Sequence, residues 1–188
     1  TALAYLRGLI DDGSMSEAVS NYTQEDARTQ FITGKSAMMI NGPWELSTLT
    51  KDAEIEWDVA PLPKDKRAAT SMGGENVVVM NGAKQSEAAV KLAKYLTSAE
   101  GAKIYCDGSG QLSSRPDLQG KLKLSSDPKL KVFEDQLQYA HARAYGKDYP
   151  KISEAIQLSM QEALTGASTP EAAAKKAADT MNPLLPKN

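Results

Sequence analysis

The stretch Phe31–Trp44, FITGKSAMMINGPW, constrains the fold of this 188-residue chain more than any other. Phe31 and Ile32 close a helix-period segment, and Gly34 stands where a helix ends on a left-handed residue. Ala37 to Ile40 is a short apolar run and predicts a buried strand. Asn41-Gly42-Pro43 then turns the chain. Pro43 suits the first position of a new helix, where its missing N–H costs nothing. Trp44 is thus predicted in the first turn of a helix, just past the carboxyl end of a strand. Ligands of open α/β sheets bind in that crevice.

The same stretch starts a series of motifs that resembles a known family. F-x-x-G-K-x-A-M-M-I-N-G-P-W is followed by Trp57-Asp58-Val59-Ala60-Pro61-Leu62-Pro63, then by Gly73-Gly74-Glu75-Asn76-Val77-Val78-Val79. Ser86 through Glu100, Leu112-Ser113-Ser114-Arg115 and Thr169-Pro170-Glu171-Ala172-Ala173 come next in order. Together they resemble the extracellular solute-binding proteins of ABC importers, in their sugar-binding branch. The resemblance covers nearly the whole chain. It implies an α/β, periplasmic-binding-protein-like two-lobed fold of type II, present here as a partial chain that corresponds to the carboxy-terminal half.

The remaining patterns are mostly helical. Leu3, Leu6 and Ile10 share a face that ends at Asp12-Gly13, and Thr23 with Asp26 predicts a capped helix start. Ile55–Ala60 and Asn76–Met80 read as further strands, the second through its three valines. Ser86 opens an amphipathic helix with Ala89, Leu92, Ala93 and Leu96 inward. Thr97-Ser98-Ala99-Glu100 caps another helix, and Asp127-Pro128 opens one carrying Leu130, Phe133 and Leu137. Ile152, Ile156, Met160 and Ala163 line the next, which Gly166 stops. The last, after Thr169-Pro170, puts Ala174, Ala177, Ala178 and Met181 on one face. So few strands for so many helices fit a sheet whose other strands lie elsewhere.

By the resemblance, residues 1–60 belong to the second lobe, 61–67 form a hinge crossing, 68–108 belong to the first lobe, and 109–188 return to the second with the carboxy-terminal helices. It further implies a sugar or oligosaccharide ligand, the missing amino-terminal half of the same protein as a structural partner, and the membrane subunits of an ABC transporter as docking partners. The location implied is periplasmic or extracellular, with any signal or lipid anchor outside this chain.

Several residues carry the candidate site. An indole such as Trp44 stacks on the C–H face of a pyranose, or else plugs the end of a sheet. Glu45 accepts hydrogen bonds from hydroxyls, or serves as a first-turn acid favoured by the helix dipole. Asn41 is a turn residue or a hydroxyl partner. Gly73 and Gly74 let backbone approach a ligand closely, or form a bulge, and Glu75 follows at the start of the strand. Arg115 forks onto ligand oxygens or holds a structural salt bridge. Tyr149 lies ahead of the Ile152 helix, where the resemblance places aromatics for the sugar. Trp57, inside a predicted strand, is expected in the core.

Enzymatic and cofactor readings find little support. Basic and acidic residues number 22 and 24, for a net charge of −2, without the basic face that nucleic acid requires. His141 is the single histidine and Cys106 the single cysteine, so neither a disulfide, nor a zinc set, nor a close cysteine–histidine pair is available, and no cofactor is expected. Gly34-Lys35-Ser36 lacks the first glycine of a phosphate loop and runs from helix to strand, the reverse of that motif. Glu45 and Glu75 form a conceivable glycosidase pair, the alternative reading, beside that of a helix-rich interaction module without a small ligand. The expectation is a binding protein that catalyses nothing.

Overall fold

The computed structural model describes residues 2–143 and 146–185. Its helices are α1 (Ala2–Asp11), α2 (Gln24–Ile32), α3 (Leu46–Asp52), α4 (Ser86–Leu96), α5 (Ala99–Ser109), α6 (Pro128–Gln136), α7 (Tyr149–Leu164) and α8 (Pro170–Met181). Two three-residue strands, β1 (Thr70–Met72) and β2 (Ala140–Ala142), form a parallel pair in which Thr70, Ser71 and Met72 face Ala140, His141 and Ala142. The chain divides into two compact units, residues 1–27 with 144–188, and residues 28–143.

In the first unit, α1, α7 and α8 pack together. The seam of α7 is built from Ile152, Ala155, Ser159 and Ala163, all buried. Their three- and four-residue spacing places them on one face of the helix. Ala173 and Ala177 answer from α8. These small side chains let the helices approach closely, so Ile156 and Met160, expected inside, stay 39% and 38% exposed. Arg7 clasps Asp11 one turn on at 2.6 Å, and its Nη1 donates to the carbonyl of Leu164 at 2.7 Å. That bond satisfies a carbonyl that the end of α7 leaves without a partner. The caps read from sequence are present. Thr23 and Asp26 exchange reciprocal bonds, and the hydroxyl of Thr169 accepts from the Ala172 N–H at 3.2 Å.

The second unit holds the candidate site. Phe31, Leu46, Leu49 and Leu130 are buried, and Cys106, Leu118 and Leu122 form a small cluster beneath α5. Gly34 ends α2 at φ +71°, as expected, and Ser98 caps α5 by accepting from the Gly101 N–H.

Three strand expectations fail among the described residues. Segments 37–40, 55–60 and 76–80 carry no ladder, and Met38, Ile40, Val78 and Met80 are 84%, 80%, 70% and 74% exposed. A strand needs a neighbour to take its N–H and C=O groups, and none lies beside them here. The same holds for α4. Its Leu92 and Leu96 were expected inward, yet they are 57% and 37% exposed, because among the described residues α4 packs chiefly onto α5. The strands that do form, β1 and β2, lie where no strand was expected, each only three residues long. Trp57, expected in the core, is half-buried, with Lys129 Nζ 5.0 Å from the ring centroid.

Candidate functional site

Asn41 to Glu45 form one compact corner. Pro43 opens a single 3₁₀ turn, Pro43–Glu45, that runs directly into α3. Proline begins such a turn without strain because its fixed φ suits the first helical position. The Asn41 side-chain oxygen accepts from the Gly42 N–H at 2.9 Å, holding the corner before the proline. Gly42, Pro43 and Glu45 are buried, whereas Trp44 between them is 38% exposed. The indole folds back over Gly42: a Cβ at that position would coincide with its six-membered ring. Glycine is needed here for room, since its φ of −118° is open to any residue. Gly110, ending α5 at φ +70°, lies near this corner: a Cβ there would stand 3.4 Å from the Pro43 carbonyl oxygen and 3.6 Å from Trp44 Cα. The aromatic is therefore seated on buried backbone with part of its surface left to solvent.

Glu45 points away from that surface. Its carboxylate, 6% exposed, receives Nη1 of Arg28 at 3.0 Å. Arg28 comes from α2, and no sequence signal links it to Glu45, because the two lie on different helical segments. The pair joins α2 to the Trp44 corner, and the first-turn position of Glu45 adds the favourable field of the helix start.

Gly73, Gly74 and Glu75 follow β1, and all three are exposed. Arg143, directly after β2, lays its guanidinium on Gly73, with Cζ 3.0 Å from where a Cβ would stand. Sequence reasoning overlooked Arg143. The alternation of small and polar residues in Ala140–Arg143 was its one available trace.

Arg115 is already engaged. Its Nε and Nη2 donate to the two carboxylate oxygens of Asp117, each at 3.0 Å, and Nη1 donates to the carbonyl of Thr97 at 3.0 Å. This bidentate contact keeps the Asp117 carboxyl below its ordinary pKa. Tyr149 begins α7 in the first unit, half-buried, its N–H donating to the Gly146 carbonyl at 3.1 Å. The structure thus groups Asn41, Trp44 and Glu45 at one corner and Gly73, Gly74 and Glu75 at the end of β1. Among the described residues no cluster of acids, histidine and cysteine has the arrangement a metal requires.

Residues 1–132 match the family described as bacterial extracellular solute-binding protein. A putative binding protein of Brucella abortus is 24% identical over 184 residues, 96% of this chain and 45% of that protein. Two solved structures superpose closely. An ABC transporter solute-binding protein from Thermotoga lettingae, bound with α-D-tagatose, has a TM-score of 0.84 and 32% identity over 98% of this chain and 48% of its own. Maltose-bound MalE3 of T. maritima has a TM-score of 0.80 and 30% identity over 98% and 49%. The chain spans about half the length of the relatives it matches.

Proposed function

The chain belongs to the bacterial extracellular solute-binding proteins, and on that premise we propose that it forms part of a sugar receptor for an ABC importer. The receptor captures a mono- or oligosaccharide between two lobes and delivers it to the membrane permease from a periplasmic or extracellular position. Closure works by population shift, because a ligand that touches both lobes only when they are shut stabilises the shut state.

The observation that carries this reading is Trp44, an indole seated on buried backbone yet 38% exposed. Aromatic anchors of that kind supply much of the contact area in ligand pockets. Two similar structures that hold sugars support the ligand class. Gly73 and Gly74 supply a second edge where backbone meets the sugar. Asn41, Glu75, Arg115 and Tyr149 remain proposed contacts on the strength of the resemblance. Glu45, locked to Arg28, acts through the corner it steadies. A carboxylate buried against Arg28 is turned away from a ligand at the Trp44 surface, which favours binding over glycoside hydrolysis.

The exposed runs around Met38–Ile40 and Val77–Met80 support a further part of this reading. Strands from the amino-terminal half of a protein about twice this length cover them and complete the sheets.

The test is tryptophan fluorescence of the protein at its full length, titrated with D-tagatose, maltose and maltotriose. A saturable change that is lost in Trp44→Ala and kept in Trp57→Ala is expected. No response to any sugar, with Trp44 shielded from a soluble quencher, overturns the reading.

A further inference from the structure

The parallel ladder pairs Met72 with Ala142, so Gly73 and Arg143 leave it at the same level on neighbouring strands. A Cβ on residue 73 would collide with Nη2 of Arg143 and lie 3.0 Å from its Cζ and 3.4 Å from its Nε. Only glycine leaves this space, and the guanidinium fills it, resting on bare backbone. Arg7, Arg28 and Arg115 each hold a carboxylate, those of Asp11, Glu45 and Asp117. Arg143 differs from them. It is exposed, and among the described residues no acid or carbonyl engages it.

A guanidinium has donors in a rigid planar fork that matches two oxygens side by side. Here that fork stands at the carboxyl end of a parallel pair, against Gly73, and is exposed to solvent. Water satisfies such a group when nothing else is present. Two oxygens on adjacent carbons satisfy it with better geometry.

We propose that Arg143 is a ligand-contacting, specificity-determining residue of the sugar site, its guanidinium donating to two hydroxyl oxygens on adjacent carbons of the sugar at the Gly73–Gly74 edge. This assignment rests on the sugar-receptor reading and adds to it a requirement for a free vicinal diol.

Calorimetric titration of the full-length protein with maltose, maltotriose and D-tagatose tests it. Arg143→Met is expected to weaken the best binder by about 10-fold or more, as loss of a charged hydrogen-bond donor does, with the melting temperature unchanged. Arg143→Lys, which keeps the charge but not the fork, recovers part of that loss. Mono-deoxy analogues of the same sugar provide the second readout. Removing one hydroxyl of the contacted pair weakens binding to the wild type and has no further effect in Arg143→Met. Affinity of Arg143→Met within about twofold of wild type overturns the role of Arg143 alone. So does a lowered melting temperature with every analogue still discriminated by the variant, which marks a structural arginine. A wild-type protein that binds none of the sugars overturns the receptor reading and this assignment with it.

Discussion

Arg28 and Glu45 meet at 3.0 Å across 17 residues of sequence, with the Glu45 side chain only 6% exposed and Arg28 26% exposed. The contact ties α2 to the corner that presents Trp44. It places a charge inside the second unit that is tolerable only while both partners are present.

Removing one partner therefore costs more than removing both. Arg28→Met is expected to destabilise the protein by about 2–4 kcal/mol, near the lower end for breaking a buried pair because Arg28 keeps some contact with water. Arg28→Met with Glu45→Met is expected to cost less than the sum of the single changes. Urea denaturation of the three variants measures this. Strict additivity would mean that the two side chains do not interact.

Gly42→Ala addresses the seat of the aromatic. The new methyl occupies the space of the six-membered ring, so the indole must swing off the corner. The expected result is a shifted tryptophan emission and sugar affinity reduced by about 10-fold. The stability change is small, since the backbone at Gly42 is unstrained. An unchanged emission spectrum would show that the ring does not rest there.

The Arg115–Asp117 contact gives stability a pH dependence with a definite sign. Asp117 has a lowered folded-state pKa, chiefly through its hydrogen bonds from Arg115. Its contribution is present above the unfolded value of about 3.9 and is lost as pH falls through the lowered folded value. In Arg115→Gln the Asp117 carboxyl is expected to titrate closer to 3.9 by carbon-detected NMR. A titration curve identical to wild type would remove Arg115 as the cause.

Ala163 and Ala173, each 0% exposed, set the spacing of α7 and α8. Ala163→Leu adds three carbons to a seam built from small side chains and is expected to cost about 1–3 kcal/mol by overpacking. Ile156→Ala, on the outer face, is expected to cost under about 1 kcal/mol. Thermal unfolding of both variants distinguishes the faces. Equal losses would contradict the packing.

Local chemistry carries its own instructions, and these were legible. Thr23 with Asp26, Ser98, Thr169 with Pro170, Gly34 and Pro43 each mark a boundary through interactions among residues a few positions apart. The turn at Asn41–Pro43 followed from the same short-range signals, whereas Trp44 stayed open between a ligand platform and a plug at the end of a sheet, and the order of the motifs along the chain carried the family. Partners distant in sequence were not legible. Arg28 on Glu45, Arg143 on Gly73 and Arg115 on Thr97 depend on where whole elements come to rest. The choice of small residues for the α7–α8 seam also came from tertiary packing, because apolar periodicity alone favours the larger Ile156 and Met160 for the inside. Val77–Met80 shows the limit most plainly. Its apolar run determines that the segment favours a strand, yet a strand exists only where another backbone supplies the hydrogen bonds, and tertiary structure alone provides that neighbour.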